Sequence, residues 1–445
     1  GLAGARAAGR WKVVPLAAAA ALAAIGTSGT VALFERLSAR EAIAWYAEAS
    51  AIVEATLPPP IPEGANAASL HRQAAVLFRD DPEYRRDGFF PWIDEIDAGS
   101  REAVRALAAH AEAIDVARRA ADRDACRFDG DWSRWSVSSP MPEHRILGHE
   151  ADLLALAARR AAIEGRPADA LADVVRIRRL ARQSRGCPGV IAGIQAAHLT
   201  VTFCETLTSV LQAMEPIDLP LLDGSTVADS LADVPSMVPT VLQEEAMVLA
   251  TFADVAAGRL TLGAIDGGWR DIPRDDAFGA SILGTLYRAF LLDSDRERCR
   301  SLARLALEIA AERDRGATPW PEIVRRLDTF YGDRVNRGIL VDSLQSIWVL
   351  VLDVQTRAEA SVRAARVGVA ATRHRLRTGG LPQTLADLVP GDLSFLPRDP
   401  FTADETLRMK PVDRGMVVYY VGSDGKDDGG PTTRERSEND SDDFG

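Results

Sequence analysis

The sequence predicts a mainly α-helical protein in three parts. These are an N-terminal transmembrane helix (1–40), an α-helical middle domain built from helical hairpins (41–354) and a small α+β module with an antiparallel sheet (355–445). Three observations predict this order: an uncharged apolar run near the start, apolar residues at helical spacing through the middle, and an ending rich in glycine, proline and β-prone segments. At 445 residues the chain has room for about two to four domains of ~100–200 residues.

The first part rests on the run from Val13 to Phe34, which has 22 residues and no charge. A helix of this length, at ~1.5 Å per residue, crosses a ~30 Å hydrocarbon core. Arg6, Arg10 and Lys12 precede the run, and the positive-inside rule therefore places the N-terminus in the cytoplasm. We expect a single-pass protein of the inner (cytoplasmic) membrane with most of its chain outside the cytoplasm.

Two other interpretations of this run remain open. It is rich in alanine, a weak membrane residue, and residues 26–29 dilute its apolar character further. Small residues near 20–24 would suit a signal peptidase, so the run could be a cleaved signal peptide. It could also be a buried helix of a soluble protein.

The middle part shows helical spacing almost throughout. The segment from Arg101 to Arg127 carries one apolar stripe and is predicted to be helical. His149–Glu164 and Ala168–Gln183 form the clearest unit, because Gly165 can cap the first helix and Pro167 can begin the second. We therefore predict an antiparallel helix pair. Further helices are predicted at 189–213, 228–257, 279–292, 297–313 and 337–377.

The turn of this helix pair, residues 164–171, resembles the inter-helix turn of tetratricopeptide-type repeats. No second copy follows at a period of 34 residues, so the sequence does not predict a regular solenoid.

The last part changes character after the final long helix. Gly379 and Gly380 end that helix, and Pro382 prevents its continuation. The segment Leu-Pro-Arg-Asp-Pro-Phe, 396–401, is predicted to be rigid and extended because each proline fixes φ. Two strands, 406–410 and 416–421, are predicted to pair across a turn at 413–415.

Four segments of this last part occur in a distinctive order. A long helix is followed by Gly-Leu-Pro, Leu-Ala-Asp-Leu-Val-Pro, Leu-Pro-Arg-Asp-Pro-Phe and Tyr-Tyr-Val-Gly-Ser-Asp-Gly-Lys. In this order and spacing, residues 355–445 resemble the globular domain of type II secretion major pseudopilins. The resemblance implies a helix packed on a small antiparallel sheet, with a calcium ion holding the last loop. The whole layout also resembles uncharacterised bacterial envelope proteins with an anchor, a helical middle and this ending.

The chain departs from the pseudopilin pattern in its first part. Pseudopilins carry the membrane helix directly before the globular part, with a prepilin cleavage signature and a glutamate shortly inside the apolar run. Here about 300 residues intervene, and no acid lies between Val13 and Phe34. These differences argue against assembly into a pilus-like filament.

The acidic ending is the candidate metal site. Residues 424–445 contain eight acids and three basic residues, and calcium prefers six to eight hard oxygens on flexible backbone. The resemblance implies that Asp424 and backbone oxygens near Val421 and Lys426 contact the ion, with later acids closing the loop. The complete set of candidate ligands is Val421, Asp424, Lys426, Asp428, Asp440, Asp442 and Asp443.

Two alternatives compete with this calcium site. An EF-hand counted from Asp424 would place Lys426 where a ligand is required and would follow a strand instead of a helix, so we reject it. A solvated acidic tail without an ion is the simpler alternative, because runs of like charge are commonly disordered.

No catalytic motif stands out. The sequence lacks the GxSxG, GxxxxGK[ST] and HExxH patterns and has no GxGxxG after a strand. His144 and His149, with Glu150 adjacent, come closest to a constellation, but their i, i+5 spacing places the two imidazoles on different helix faces. We expect them to have a structural or surface role.

Composition narrows the classes of partner. Apolar residues make up 47% and charged residues 26%, as in folded proteins. The net charge is −12 and no concentrated basic segment occurs, which argues against nucleic acid as a partner. The four cysteines form no CxxC pair. Cys187 and Cys204 could form a disulfide outside the cytoplasm or remain two buried thiols.

Together these observations predict a non-enzymatic envelope protein. Its helical middle would bind other envelope or secretion proteins, and its last module would be a calcium-stabilised interaction module. Two alternatives are an extracytoplasmic enzyme whose site is assembled from dispersed residues, and a divergent type II secretion pseudopilin.

Overall fold

The computed structural model describes residues 28–79, 96–130, 132, 135–136, 139, 143–223, 225–232, 236–260, 287–316, 318–333, 338–412 and 415–430. Most of the predicted membrane run, 13–27, lies outside these residues, and so does the acidic segment 440–443. Within the described residues the chain is mainly helical, with one small antiparallel sheet, as the sequence predicts.

The first half contains seven helices in the described residues. They are α1 (Ser28–Thr56), α2 (Ala68–Arg79), α3 (Arg101–Ala109), α4 (Ala111–Ala121), α5 (Glu143–Ile163), α6 (Pro167–Gln183) and α7 (Val190–Gln212).

The second half adds six helices and a hairpin in the described residues. They are α8 (Leu219–Asp223), α9 (Ser225–Ala232), α10 (Val238–Ala256), α11 (Leu292–Asp314), α12 (Trp320–Gly332), α13 (Ile339–Thr378), β1 (Arg408–Val412) and β2 (Gly415–Tyr419).

The predicted helix pair is confirmed as α5 and α6. Gly165 has φ +71°, which favours glycine because it carries no Cβ. The Gly165 N–H donates to the carbonyl of Ala162 at 3.1 Å, and the Arg166 N–H donates to that of Ala161 at 2.9 Å. These two bonds satisfy carbonyls that the end of α5 leaves without intrahelical partners. Pro167 then occupies the first turn of α6, where a missing N–H costs nothing.

Two predicted helices are each divided in the structure. The stripe from Arg101 to Arg127 bends at His110, whose φ of −104° and ψ of 17° are not helical. The bend lets α3 pack on α5 while α4 packs on α2 and α6. The predicted helix 228–257 is α9 followed by α10, and Pro239 lies in the first turn of α10. A proline fits there but not within a continuous helix.

Two apolar cores are joined by α13. The first core lies among α2, α4, α5, α6 and α7, and it receives Val362, Ala365 and Val369 from α13. The second lies among α1, α10, α11 and α12, and it receives Trp348 and Leu352 from the same helix. The predicted boundary between 41–354 and 355–445 therefore falls within one continuous helix that contributes to both cores.

Three arginines of α13 also close the ends of other helices. Arg366 donates to the last carbonyls of α9 at 2.8 Å, and Arg373 donates to the carbonyl of Leu222 in α8. Arg375 donates to the carbonyl of Leu211 in α7 at 3.1 Å. The last carbonyls of a helix have no intrahelical partner and carry partial negative charge, so guanidinium groups stabilise them.

The C-terminal module follows α13. Gly379 ends the helix with φ +82°, as predicted. A short 3₁₀ turn, Leu385–Leu388, packs against α13 together with Leu407. The strands β1 and β2 pair from Arg408 opposite Tyr419 to Val412 opposite Gly415. They confirm the predicted hairpin, with each strand displaced by one or two residues.

One helix of the described residues, α7, is long and apolar enough to cross a membrane, but the protein buries 61% of its most apolar window. The rest of the protein therefore already covers most of this window. Cys187 and Cys204 are both buried, and they are two separate thiols instead of a disulfide.

Candidate functional site

The loop after β2 contains four of the seven predicted calcium ligands. At its start, the buried Val421 donates its N–H to the Asp399 carboxylate at 2.9 Å. The same carboxylate accepts the Phe401 N–H at 2.9 Å and contacts the Arg408 guanidinium at 3.3 Å. Burial raises the pKa of Asp399, while the Val421 and Phe401 N–H groups lower it. Asp399 thus fixes the start of the loop from the proline-flanked segment.

The predicted ligands in the middle of this loop are exposed. Asp424 accepts the Lys426 N–H at 3.0 Å, and its other oxygen lies 3.6 Å from the Lys426 ammonium. Asp428 is exposed too. Asp427, which was not among the predicted ligands, accepts the Gly429 N–H at 2.9 Å and contacts the Arg408 guanidinium at 2.9 Å. Asp424 and Asp427 are thus occupied by local hydrogen bonds and basic side chains.

The end of the described loop is held by a lysine. The Lys410 ammonium of β1 donates to the carbonyl oxygens of Gly429 and Gly430, the latter at 3.0 Å. It also lies 5.7 Å from the centre of the Tyr419 ring. Lys410 thus places a positive charge on carbonyl oxygens of this loop, although the backbone oxygens predicted to contact calcium were those near Val421 and Lys426.

Within the described part of the chain, no group of three His, Cys, Asp or Glu side chains is placed to hold a metal ion. The structure brings Val421, Asp424, Lys426 and Asp428 into one loop. Asp440, Asp442 and Asp443, which were predicted to close it, lie outside the described residues, so the calcium site stays a prediction.

Aromatic side chains join this module to the helical body. Phe401 is 1% exposed; its ring packs edge-on against Trp320 of α12 at 5.8 Å and stacks on Tyr420 at 5.7 Å. The backbone N–H of Trp320 donates to the Pro400 carbonyl at 3.2 Å, and its indole N–H donates to the Ser423 carbonyl at 3.1 Å. We name this contact, formed by Trp320, Phe401 and Tyr420, the aromatic joint.

A second polar arrangement lies inside the first core. The Nδ1 atom of His71 on α2 lies 2.7 Å from the Glu150 carboxylate on α5. Its Nε2 atom lies 3.0 Å from the Gln183 carbonyl oxygen at the end of α6. The Gln183 amide nitrogen donates to the carbonyls of Ala120 and Arg123 at 2.9 and 2.8 Å. This chain of contacts links α2, α4, α5 and α6.

The hydrogen bonds set the protonation of His71. Because the Gln183 nitrogen faces two carbonyls, its oxygen must face His71, and Nε2 must donate. The other ring nitrogen faces a carboxylate. Burial lowers the pKa of His71, but Glu150, together with the Cys126 thiol, outweighs it and raises that pKa to about 10. The pair is therefore an imidazolium beside a carboxylate, both 0% exposed.

The sequence pattern pointed to Glu150 but not to its partner. His71 lies 79 positions away, and no local spacing could indicate the contact. His149 is buried and packs edge-on against Phe78 at 5.9 Å, which agrees with the predicted structural role. The side chain of His144 lies outside the described residues. Because the His71–Glu150 pair is fully buried, its geometry fits a structural contact within the core.

Another carboxyl is buried in the body without such a partner. Glu244 of α10 is 1% exposed, and neither of its oxygens makes a hydrogen bond of acceptable geometry to a described residue. Burial raises its pKa to about 8, and the nearby N–H of Val190 opposes this only partly. Glu244 is therefore mostly protonated near neutral pH.

Two cavities lined by described residues lie at the surface of the helical body. One, of about 310 Å³, lies between α6 and α8–α9, where Arg176 and Arg179 pair with Asp122 at 3.0 and 2.9 Å. The other, of about 360 Å³, lies where α1 and α6 end and where α7 and α10 begin. We name it the Arg182 cavity, and its lining includes Arg182, Arg185 and Gln243.

Comparison with known protein families, with curated proteins and with solved structures finds no match for this chain.

Proposed function

We propose that the protein is a non-enzymatic, membrane-anchored scaffold of the bacterial cell envelope. It would be held in the inner membrane by its N-terminal run, and its extracytoplasmic helical body and pseudopilin-like module would bind other envelope or secretion proteins as one rigid unit. The observation that carries this proposal is the aromatic joint, which places Phe401 and Val421 of the module in the core of the helical body. A partner would then meet one continuous surface.

The surroundings of α13 favour a scaffold over a divergent pseudopilin that forms filaments. Between residues 347 and 376 of this helix, only Val349 and Arg357 are exposed. A helix that bundles with those of other subunits needs an apolar stripe free of its own chain. This part of α13 is covered by both cores of the same molecule, so a filament made through it would require the protein to open.

One experiment tests the orientation and the joint together. Protease is added to sealed spheroplasts that contain either the full chain or a Phe401→Ala variant, and cleavage within 396–430 is followed by mass spectrometry. We expect cleavage from outside in both, and faster release of the module in the variant. Truncating a buried phenylalanine costs roughly 3–5 kcal/mol and leaves a cavity in the joint.

The matched control is Phe395→Ala, because Phe395 is in the same module but is 68% exposed. This variant should be cleaved at the wild-type rate. A chain that external protease cannot reach would refute the proposed orientation. Equal cleavage rates for the two phenylalanine variants would refute a rigid joint.

Calcium would stabilise the last loop of this scaffold. In the full chain we expect added calcium to raise the melting temperature and a chelator to reverse the rise. Binding to the folded state alone contributes about 2.7 kcal/mol at a hundredfold excess over Kd. A variant with Asp440, Asp442 and Asp443 changed to Asn should lose the response. If neither calcium nor chelator shifts the melting temperature, the loop is held by Lys410 and Asp399 without a metal.

A further inference from the structure

The Arg182 cavity collects positive charge in an acidic protein. Arg182 and Arg185 are among the residues that line it, and none of the described residues in its lining is acidic. Arg182 donates to the backbone carbonyl of Asp229 at 3.4 Å, and Arg185 donates to that of Ser236 at 2.7 Å. The whole chain carries a net charge of −12, so this concentration of positive charge is local. An anion would be favoured here.

A buried amide also points into this cavity. Gln243 is 5% exposed, and its side-chain oxygen accepts the Gly189 N–H at 3.0 Å. That bond fixes the orientation of the amide, because an N–H group can bond only to the oxygen. Among the described residues the Gln243 nitrogen has no acceptor, although Gln243 lines the cavity. Its two N–H donors are available to a ligand.

The backbone adds further donors. The cavity is lined by Ala192 in the first turn of α7 and Thr240 in the first turn of α10. The first N–H groups of a helix lack intrahelical partners and carry partial positive charge. The two helix starts therefore add donors beside Arg182, Arg185 and Gln243, and they oppose the partial negative charge that the ends of α1 and α6 bring to the same cavity.

The acid that follows Gln243 along α10 does little to cancel this charge. Glu244 follows Gln243 on α10 but does not line the cavity, and its raised pKa keeps it mostly neutral near pH 7. The remaining lining is largely apolar, with Leu57, Pro58 and Pro239 on the walls. A volume of about 360 Å³ falls within the range of small-molecule sites.

We infer that the Arg182 cavity binds a small organic acid through Arg182, Arg185 and Gln243. A carboxylate has two oxygens that can accept from both guanidinium groups and from the amide. The apolar part of the molecule would lie against Leu57 and Pro58. This binding goes beyond the scaffold role and does not depend on it.

The test uses benzoate as the acid and benzamide, which has nearly the same shape and no charge, as its matched control. Titration calorimetry of the full chain at pH 7 and low salt should show saturable binding of one benzoate. Benzamide should bind at least about tenfold more weakly, because charge-assisted hydrogen bonds are the stronger ones. Added salt should weaken benzoate binding, since Arg182 is exposed and screened.

Substitutions test whether benzoate binds in the Arg182 cavity. Arg182→Gln removes one guanidinium, and Gln243→Glu keeps the acceptor for Gly189 while it replaces the donors with an acid. Each should weaken benzoate binding by about tenfold or more, and Arg182→Lys should fall between wild type and Arg182→Gln because it keeps only the charge. The control is Arg179→Gln, an equal loss of charge on α6 at the other cavity, which should bind benzoate as the wild type does.

Three results would overturn the inference. The first is an absence of saturable benzoate binding by the wild type at millimolar concentrations. The second is equal affinity for benzamide, or for inorganic sulfate, which has no apolar part. The third is unchanged binding by the Arg182→Gln and Gln243→Glu variants when both retain the wild-type melting temperature, because the acid would then bind elsewhere.

Discussion

Two glutamates are buried to the same degree in different parts of the helical body, and they are stabilised in opposite ways. Glu150 in the first core is 0% exposed, and Glu244 beside the second core is 1% exposed. Glu150 contacts the His71 imidazolium at 2.7 Å, whereas no charged group of the described residues shifts the pKa of Glu244. Burial disfavours a charged carboxyl in both places.

The comparison shows two ways in which a protein accommodates such a group. Glu150 has the His71 imidazolium as its partner at 2.7 Å, and the pair connects four helices through Gln183. Glu244 instead keeps its proton, which makes the second region sensitive to pH. The same residue type therefore has a structural role in one core and a titratable role beside the other.

The largest effect is expected from breaking the charged pair. In His71→Leu the Glu150 carboxylate loses its partner within a closed core, and removal of one member of a buried pair typically costs about 3–5 kcal/mol. Urea denaturation of the full chain should show this loss in the free energy of unfolding. The loss should be larger than for Glu41→Gln, which changes an exposed glutamate of α1.

The double variant His71→Leu, Glu150→Leu tests whether the two side chains stabilise the protein as a pair. With both charges removed, no uncompensated group remains, so the loss should be clearly smaller than the sum for the two single variants. The folded pKa of His71 is raised, so the stability that the pair contributes is full below about pH 6.5. It is lost as pH rises through about 10. Additive losses, or a double variant with the same pH dependence as the wild type, would show that His71 and Glu150 do not act as a pair.

The different surroundings of the two glutamates could not be predicted from the sequence, whereas several local features of the fold could. Local signals were sufficient for α5, α6 and α13, because Gly165, Pro167 and Gly379 each end or begin a helix through their own backbone preferences. The hairpin of the last module was likewise predicted from its β-prone residues. In these cases the determining interactions lie within a few positions along the chain.

Interactions between distant segments were not predictable in this way. The bend at His110 depends on which helices α3 and α4 meet, and the contact between His71 and Glu150 joins residues 79 positions apart. Asp399 was assigned only to a rigid segment, although an acid between two prolines could have indicated an anchor for neighbouring N–H groups. The Arg182 cavity combines the ends of four helices, and no single segment of sequence contains that pattern.

The second largest change in stability is expected from substituting Glu244, and its size should depend on pH. Its pKa is about 8 in the folded state, whereas an unperturbed glutamate has a pKa of 4.5. Below 4.5 both states hold the proton; between 4.5 and 8 the unfolded state releases it first, so the folded protein loses stability as pH rises. Glu244→Gln removes this loss. Above pH 8 its free energy of unfolding should exceed that of the wild type by on the order of a few kcal/mol, at ~1.36 kcal/mol per pKa unit.

The measurement is the free energy of unfolding of Glu244→Gln and wild type at pH 5 and pH 8.5. The difference between the two free energies should be small at pH 5 and largest at pH 8.5. The contributions of all other titratable groups are common to both proteins and cancel in this difference. Glu41→Gln again serves as the control and should show no such trend. A difference that is constant with pH would mean that Glu244 ionises in the folded protein as it does in the unfolded one.

The smallest effect concerns the packing of α7 on α10 beside Glu244. At Gly193 an added Cβ would come within 2.4 Å of the Thr240 methyl group. Gly193→Ala should therefore force the two helices apart and cost about 1–3 kcal/mol. Thr240→Ala removes the obstructing atoms, so the double variant Gly193→Ala, Thr240→Ala should recover most of the loss. Replacing glycine by alanine in a helix contributes up to ~1 kcal/mol of its own.

Thermal unfolding of the two single variants and the double variant measures how much the close approach of Gly193 and Thr240 contributes to stability. Recovery in the double variant would mean that Gly193 is required by the distance between α7 and α10 and not by its backbone freedom. A double variant as unstable as the sum of the single variants would mean that the helices do not approach as closely as the Gly193–Thr240 contact requires. The Arg182 cavity, which both residues line, would then differ in shape as well. Unlike the two buried glutamates, this contact involves no charge, so its energetics should not change between pH 5 and pH 8.5.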